Sequence, residues 1–473
     1  MNRGGFDGGT RRRLDLLLLI IGVPLATAYG RFNVDDPFIT FRYSWNFATG
    51  NGLVFNAGEK ILGTTSPLLA LLLGTMTDSL PLIPIAGHLL CGAALIATAL
   101  LLSRIIADET EETEPNAAFI APLFVLTSPL LAETQGFELN LYLAFVLAGI
   151  RAATRGNPGW AGMSLAVAAL FRGDALVAAG LVGLYIMVSG SGDWRRFAAS
   201  FLIPILGFAG AAWSYYGYPL PNTLAAKRAM GNSGYWRGYI HGGLRLAGLY
   251  VMKSPAYLAL IPAAILGLRS VRRGGVKPGV ALIFAWTVSV VAIYAIMRIP
   301  SAFNYYGMFV PVVGILMGIG SLQIARRFDR RRVVAVMLIV ICAAQLWPSL
   351  HILAAVPSER YTAYRKAADE LRNIVGAEDT VAMIEIGILA YFSQVRVLDL
   401  VGLVHPEIGP HLAKGDVTWA VRSRSPEFVL LHDPAWPSIE TGLLESDTFR
   451  KNYTNYQTLN GPGPYHLVLY KRN

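Results

Sequence analysis

The chain has 473 residues, of which 54% are hydrophobic and 15% charged, whereas a soluble protein carries about 25% charged residues. A mean hydropathy of +0.47 excludes a single water-soluble globule, and the apolar content equally excludes a disordered or collagen-like chain, so the composition is that of a polytopic membrane protein. The formal charge of +10 (40 Lys and Arg against 30 Asp and Glu) would suggest nucleic acid if it were gathered on one surface, but much of it sits in short clusters between apolar runs.

From the N-terminus, Arg11, Arg12 and Arg13 precede an apolar run from Leu14 to Ala28. This imitates a secretory signal peptide, yet the many later spans make a retained signal anchor the simpler reading. A bilayer-crossing helix needs about 20 mostly apolar residues. Runs at 14–30, 84–103, 117–134, 138–152, 158–171, 175–189, 197–216, 254–268, 279–297, 304–325 and 333–351 predict about eleven spans. Residues 66–80 are apolar but interrupted by Thr75, Thr77 and Asp78, which predicts an interfacial or re-entrant helix. Cys91 and Cys342 lie inside apolar runs and read as packing residues rather than a disulfide or thiolate site.

Lys and Arg in short loops mark the cytoplasmic side. With the N-terminus inside, Arg104, Arg151, Arg155, Arg195, Arg196, Arg269, Arg272, Arg273, Lys277 and the run Arg326 to Arg332 all fall on that side. The acidic run Asp108 to Glu114 joins them and reads as a solvated loop. The basic surplus is therefore largely topological, and nucleic acid is not an expected partner.

The opposite, exoplasmic face receives a first loop at 31–83, a loop at 217–253 whose Gly231, Gly234 and Gly238 predict mobility, and everything after about residue 355. The expected organisation is a membrane domain at 1–355 and a small exoplasmic α/β domain at 356–473. Within the latter, Glu359 to Val375 predicts an amphipathic helix, and Thr380 to Ile386, Val395 to Leu400, Phe428 to His432 and His466 to Tyr470 predict strands.

The first exoplasmic loop opens with Asp35 and Asp36 before Pro37. Adjacent carboxylates repel each other, and the nearby low dielectric raises the pKa of at least one. Such a group suits a general base or a metal ligand. Asp before a Pro at the first helical position is also an ordinary helix start. Asp36 is the better placed to cap, which slightly favours Asp35 for chemistry. Two carboxylates are too few to assign a divalent metal, so no cofactor is required and a metal there stays open.

Residues 35–43 (DDPFITFRY), 50–60 (GNGLVFNAGEK) and 63–68 (GTTSPL) resemble the first loop of bacterial GT-C superfamily glycosyltransferases. More narrowly, they are similar to the branch containing mycobacterial terminal arabinofuranosyltransferases. Leu69 stands where Trp is common there and Thr64 where an aromatic is common. Further along, Gln135 to Glu138 resembles an "SGLE" turn, Phe171 to Asp174 an "LRPDG" turn, and Tyr215 to Lys227 a "YYGxxLPNTxxAK" loop. Phe303 to Tyr306 is similar to an "RYxxP" start that lacks its Arg, and Ile386 to Leu403 resembles a "GAIGYYSxxxVxDxxGL" word. The resemblance spans about residues 30–405. The derived topology places Asp35, Asp36, Glu59, Glu138, Arg172, Asp174, Asn222, Lys227 and Arg228 on one face, where ionisable groups line a cavity or the interface.

The resemblance implies an integral membrane protein of the bacterial plasma membrane. It would transfer a monosaccharide from a polyprenyl-phosphate donor to a hydroxyl of a glycan, lipid or protein on the exoplasmic face, with inversion. Asp35 or Asp36 would take the acceptor proton. Lys227, with Arg228 and Arg172 as alternates, would hold the leaving phosphate. Glu59, Glu138, Asp174, Asn222, Tyr216 and His241 are candidate sugar or acceptor contacts. The bland readings are a snorkelling lysine at 227, a structural Arg172–Asp174 pair, a helix-start Glu138, an interfacial Tyr216 and a solvated His241. His88, in an apolar run, reads as a satisfied buried histidine, His405, His411 and His432 show no metal-ligand spacing, and protease, nucleotide-hydrolase, dinucleotide and serine-hydrolase motifs are absent from the sequence. The competing readings are a transporter or flippase of lipid-linked sugars, although no inverted repeat is visible, a non-catalytic assembly protein, and an oligosaccharide transferase acting on protein.

Overall fold

A computed structural model describes residues 8–473 apart from 32, 110–114, 274–276 and 355–356. Every predicted apolar run lies on helical structure, and the boundaries follow local chemistry. Pro37, Pro67, Pro158 and Pro278 each open a helix, where the missing N–H costs nothing. The side chains of Asn157, Asp193 and Asp329 accept from backbone N–H groups of the helices they precede. Gly190 and Gly217 end helices in the left-handed region, at φ +60° and +82°.

The eleven or so expected spans, some of them short, are seen in part. Among the described residues, five helices are long and apolar enough to cross a membrane: Leu82–Asp108, Trp194–Tyr216, Pro278–Ile296, Phe303–Ala325 and Arg330–His351. A sixth exists if Tyr239–Lys253 and Pro255–Arg273, bent by 107° at Ser254, count as one. Leu139–Thr154, Pro158–Phe171 and Ala175–Ser189 are apolar but shorter, because charged or Gly/Pro turns cut them below the ~20 residues a perpendicular span needs. Pro67–Met76 is shorter still and packs on the helix Pro37–Ala48. The loop predicted at 217–253 is instead two helices, Thr223–Ser233 and Tyr239–Lys253.

Small residues let helix backbones meet. A Cβ on Gly320 would come to 1.9 Å from the Ala263 carbonyl, and one on Gly267 to 2.2 Å from that of Leu316. The helices Ile261–Arg273 and Phe309–Ala325 therefore touch backbone to backbone.

One end of the bundle is tied by arginines. Asp108, read from sequence as part of a solvated loop, ends a long helix with its side chain 10% exposed. It accepts from Arg151 at 3.0 Å and from Arg155, with Arg11 at 3.5 Å. Arg104 pairs with Asp15 at 3.3 Å. The rest of the acidic run, 110–114, lies outside the described residues.

After the helix Glu359–Ile374, the chain forms a five-stranded sheet. Its strands are β1 (Thr380–Met383), β2 (Arg396–Asp399), β3 (Phe428–Asp433), β4 (Tyr453–Leu459) and β5 (His466–Arg472), in the order β2-β1-β3-β5-β4. β2, β1 and β3 are parallel, and β5 is antiparallel to both β3 and β4. Strand β4 escapes sequence reading because Thr454, Asn455, Gln457 and Thr458 give a mostly polar edge. Val381, Val397 and Phe428 belong to the same apolar core as the membrane helices, while Ala382, Leu398 and Val429 pack on the opposite face of the sheet. Phe38, Phe41, Tyr391 and Phe392 form the aromatic bridge, with ring centroids 5.0–6.3 Å apart.

Candidate active site

The first loop docks onto the sheet through side chains that the sequence presents as motif words. Arg42, 3% exposed, donates to the carbonyls of Phe55 (2.8 Å), Ala390 (2.8 Å) and Val395 (2.7 Å). Asn56 grips edge strand β2 by donating to the Val397 carbonyl at 2.8 Å and accepting from its N–H at 3.1 Å. This side-chain pairing covers an otherwise open edge.

Asp35 belongs to the same junction. Its carboxylate accepts from the N–H groups of Gly387 (2.9 Å) and Ile388 (2.7 Å), where the short helix Ile388–Ser393 begins with unsatisfied donors. A Cβ on Gly387 would sit 2.0 Å from the Asp35 carbonyl oxygen, so only glycine allows this approach. The capping expectation is thereby reversed. Asp36 precedes the helix Pro37–Ala48 in helical conformation and makes no side-chain cap bond, whereas Asp35 caps a helix some 350 residues away.

Asp36 faces a cavity of about 550 Å³ between the helices and the sheet. Lys227, Glu138, Glu385, Tyr305 and Trp436 share its wall. Asp36 is exposed and lines this cavity. The surrounding protein, followed by the charge of Asp35, pushes the Asp36 carboxyl up to about 6, with Arg360 and Lys227 pulling the other way. Burial also raises Asp35, opposed by Arg360 and the two N–H donors. Burial and then Asp35 hold Glu385 well above the usual carboxylate range, against the pull of its ion-pair partner Arg360.

Lys227 lies on the helix Thr223–Ser233 with Nζ 4.8 Å from the centroid of the Tyr305 ring. Among the described residues, no carboxylate is within ion-pair distance of it. Glu138 lines the cavity and accepts from Arg172 at 3.1 Å. Arg172 itself is buried behind the wall, bridging Glu138 to Asp174 at 3.2 Å, and Tyr294 donates to Asp174 at 2.7 Å. Arg172 and Asp174 thus brace Glu138 and do not line the cavity.

The other predicted contacts lie outside the cavity wall. Asn222 donates to the carbonyls of Gly402 (2.8 Å) and Leu403 (2.9 Å), and Tyr216 to that of Leu53 (2.5 Å), so both tie segments together. Glu59 pairs with Arg396 at 2.5 Å and lies 3.6 Å from His405, in a separate polar cavity of about 410 Å³. Arg228 and His241 are exposed on the helices Thr223–Ser233 and Tyr239–Lys253. Among the described residues no group of three His, Cys, Asp or Glu could hold a metal ion, and the Asp35 oxygens are already engaged.

Beside the polar cavity runs an almost wholly apolar groove of about 530 Å³, between the bent pair and the helices Pro278–Ile296 and Phe309–Ala325. Tyr305 lines the cavity and Tyr306 the groove. Tyr239 joins them, stacking on Tyr306 at 4.8 Å and donating to the Tyr305 carbonyl at 3.2 Å.

The family model "Domain of unknown function (DUF8728)" matches residues 353–470. No curated protein matches the chain. Among solved structures, ArnT from Cupriavidus metallidurans in the apo state superposes with a TM-score of 0.59 at 12% identity, covering 96% of this chain and 97% of that one. The same protein bound to undecaprenyl phosphate gives a TM-score of 0.57 at 12% identity over the same shares. The chain has the fold of ArnT.

Within this ArnT-like frame, sequence reasoning missed Glu385, Arg360 and Trp436. Glu385 stands two residues before Gly387, just beyond β1. An acid at a strand end ahead of a glycine is a usable signal, but only Asp35, distant in sequence, brings it to the cavity.

Proposed function

We propose that this protein is a GT-C glycosyltransferase, moving a monosaccharide from a polyprenyl-phosphate donor to an acceptor hydroxyl. The observation that carries the reading is the adjacency of a polar cavity holding Asp36 and Lys227 to an apolar groove. A lipid-phosphate sugar needs both surfaces at once: hydrocarbon for its chain, and a cation and a base for its head. The undecaprenyl phosphate bound in one ArnT structure supports the same donor class here.

In this mechanism the acceptor oxygen attacks the anomeric carbon as the bond to the phosphate oxygen breaks. Asp36 takes the hydroxyl proton, Lys227 neutralises the departing phosphate, and the anomeric configuration inverts. Asp35 positions rather than reacts, since its oxygens hold Gly387 and Ile388. A base with a pKa near 6 is ionised at neutral pH. Transfer should therefore rise about tenfold per pH unit below about 6 and level off above it.

The arginine-tied end around Asp108 would face the cytoplasm and the cavity the exoplasmic side of a bacterial plasma membrane, with residues 356–473 as a domain on that side. The first-loop words favour the branch of terminal arabinofuranosyltransferases. Reconstitution of the full chain with polyprenyl-phosphate monosaccharides tests the reading. The expected result is release of polyprenyl phosphate in step with glycosylated product, whereas movement of intact donor across the bilayer would mark a transporter instead.

A further inference from the structure

The wall that the sheet contributes to the cavity is built around one indole. Trp436 is 36% exposed and lines the cavity. Everything behind it is fixed. Its ring stacks on His432 at 4.0 Å and 10°. The Trp436 backbone N–H donates at 2.7 Å to the Glu440 carboxylate, which is 0% exposed and also accepts from the His432 backbone N–H at 3.1 Å. The His432 ring is pinned on both nitrogens, by Glu440 at 2.8 Å and by the Tyr364 hydroxyl at 2.7 Å.

Two residues on, Ser438 holds φ +81° and ψ −72°, a conformation a serine keeps only when its surroundings enforce it. Here a reciprocal pair of bonds with Thr441 enforces it. A buried hydrogen-bonded network and a strained backbone thus hold one aromatic ring in the cavity wall, with the Arg360 guanidinium 5.8 Å from its centroid and Glu385, the ion-pair partner of Arg360, on the same wall.

We infer that the turn 434–438, with Trp436 as platform and Glu385 on the same cavity wall, binds a saccharide, and that the acceptor is therefore a glycan. A flat apolar ring matches the C–H face of a sugar while a carboxyl engages its hydroxyls, and a platform already rigid loses little entropy on binding. The place is right for an acceptor. Lys227 and Tyr305, on the helix side, adjoin the lipid groove, whereas Trp436 stands on the wall that the sheet supplies. An alkyl alcohol would have no use for Glu385.

The term acceptor rests on the transferase reading; the saccharide site does not. Saturation-transfer NMR on the full chain in nanodiscs, with methyl pentofuranosides and methyl hexopyranosides as probes, separates the two. The expected result is saturation at ring protons of at least one glycoside, reduced at least fivefold in Trp436→Ala and kept within twofold in Trp436→Phe. Undecaprenyl phosphate should bind wild type and both variants alike, showing that the fold is intact. Failure of wild type to bind undecaprenyl phosphate would overturn the transferase reading and leave the saccharide site standing. No Trp436-dependent glycoside signal, or such a signal from a serine-containing peptide or a long-chain alcohol instead, would overturn the saccharide inference.

Discussion

The two ends of the helix bundle treat charge in opposite ways. At one end Asp108 is surrounded by Arg11, Arg151 and Arg155, and Asp15 by Arg104. At the other end Arg172 is similarly consumed by Glu138 and Asp174, but Lys227 and Asp36 are not. Among the described residues no carboxylate pairs with that lysine, and no donor bonds the Asp36 side chain. Saturated clusters hold structure together. A cation and a carboxylate left unsaturated across one cavity are maintained at a cost, and the natural recipient of their hydrogen bonds is a substrate.

The comparison predicts which substitutions damage the fold and which damage only turnover. The largest effect is expected from Arg172→Ala, which strands Glu138 and Asp174 without their cation. Removing one partner of a buried pair costs about 3–5 kcal/mol, read as a sharp fall in Tm of the purified protein. Lys227→Met should leave Tm unchanged while lowering donor turnover about 10²–10³-fold, the usual loss for one donor to a developing oxyanion. Equal losses of Tm in both variants would erase the distinction. Glu59→Gln should do least. The pair it forms with Arg396 is half open to solvent on the arginine side, where such pairs contribute up to about 1 kcal/mol, and turnover should stay within threefold.

Much of the architecture is readable from local pattern, because apolar run length and Pro or Gly punctuation act within a few residues of where they stand. The same punctuation makes some of the expected spans short, as at Leu139–Thr154 and Pro158–Phe171. The 217–253 segment read as a mobile loop on the strength of its glycines. Gly231 is there for another reason: a Cβ would fall 1.7 Å from the Arg298 carbonyl, so the glycine marks close packing of a helix.

The site was legible to the extent that its parts lie in adjacent sequence. Asp36 and Lys227 stand out from their neighbours, but the division of labour between Asp35 and Asp36 does not, since the helix that Asp35 caps is not the one that follows it. Glu59 and Asn222 belong to words that resemble a transferase loop, yet their bonds go to Arg396 and to the carbonyls of Gly402 and Leu403. In this molecule part of the motif encodes docking between helices and sheet.

The central claim is that Asp36 does chemistry and little else. Asp36→Asn is the most direct test, with undecaprenyl-phosphate affinity and donor turnover measured on the same preparation. The account predicts unchanged Tm, affinity within twofold of wild type, and turnover reduced by about 10²–10⁴-fold, the contribution of a general base. Wild-type turnover in Asp36→Asn would contradict it.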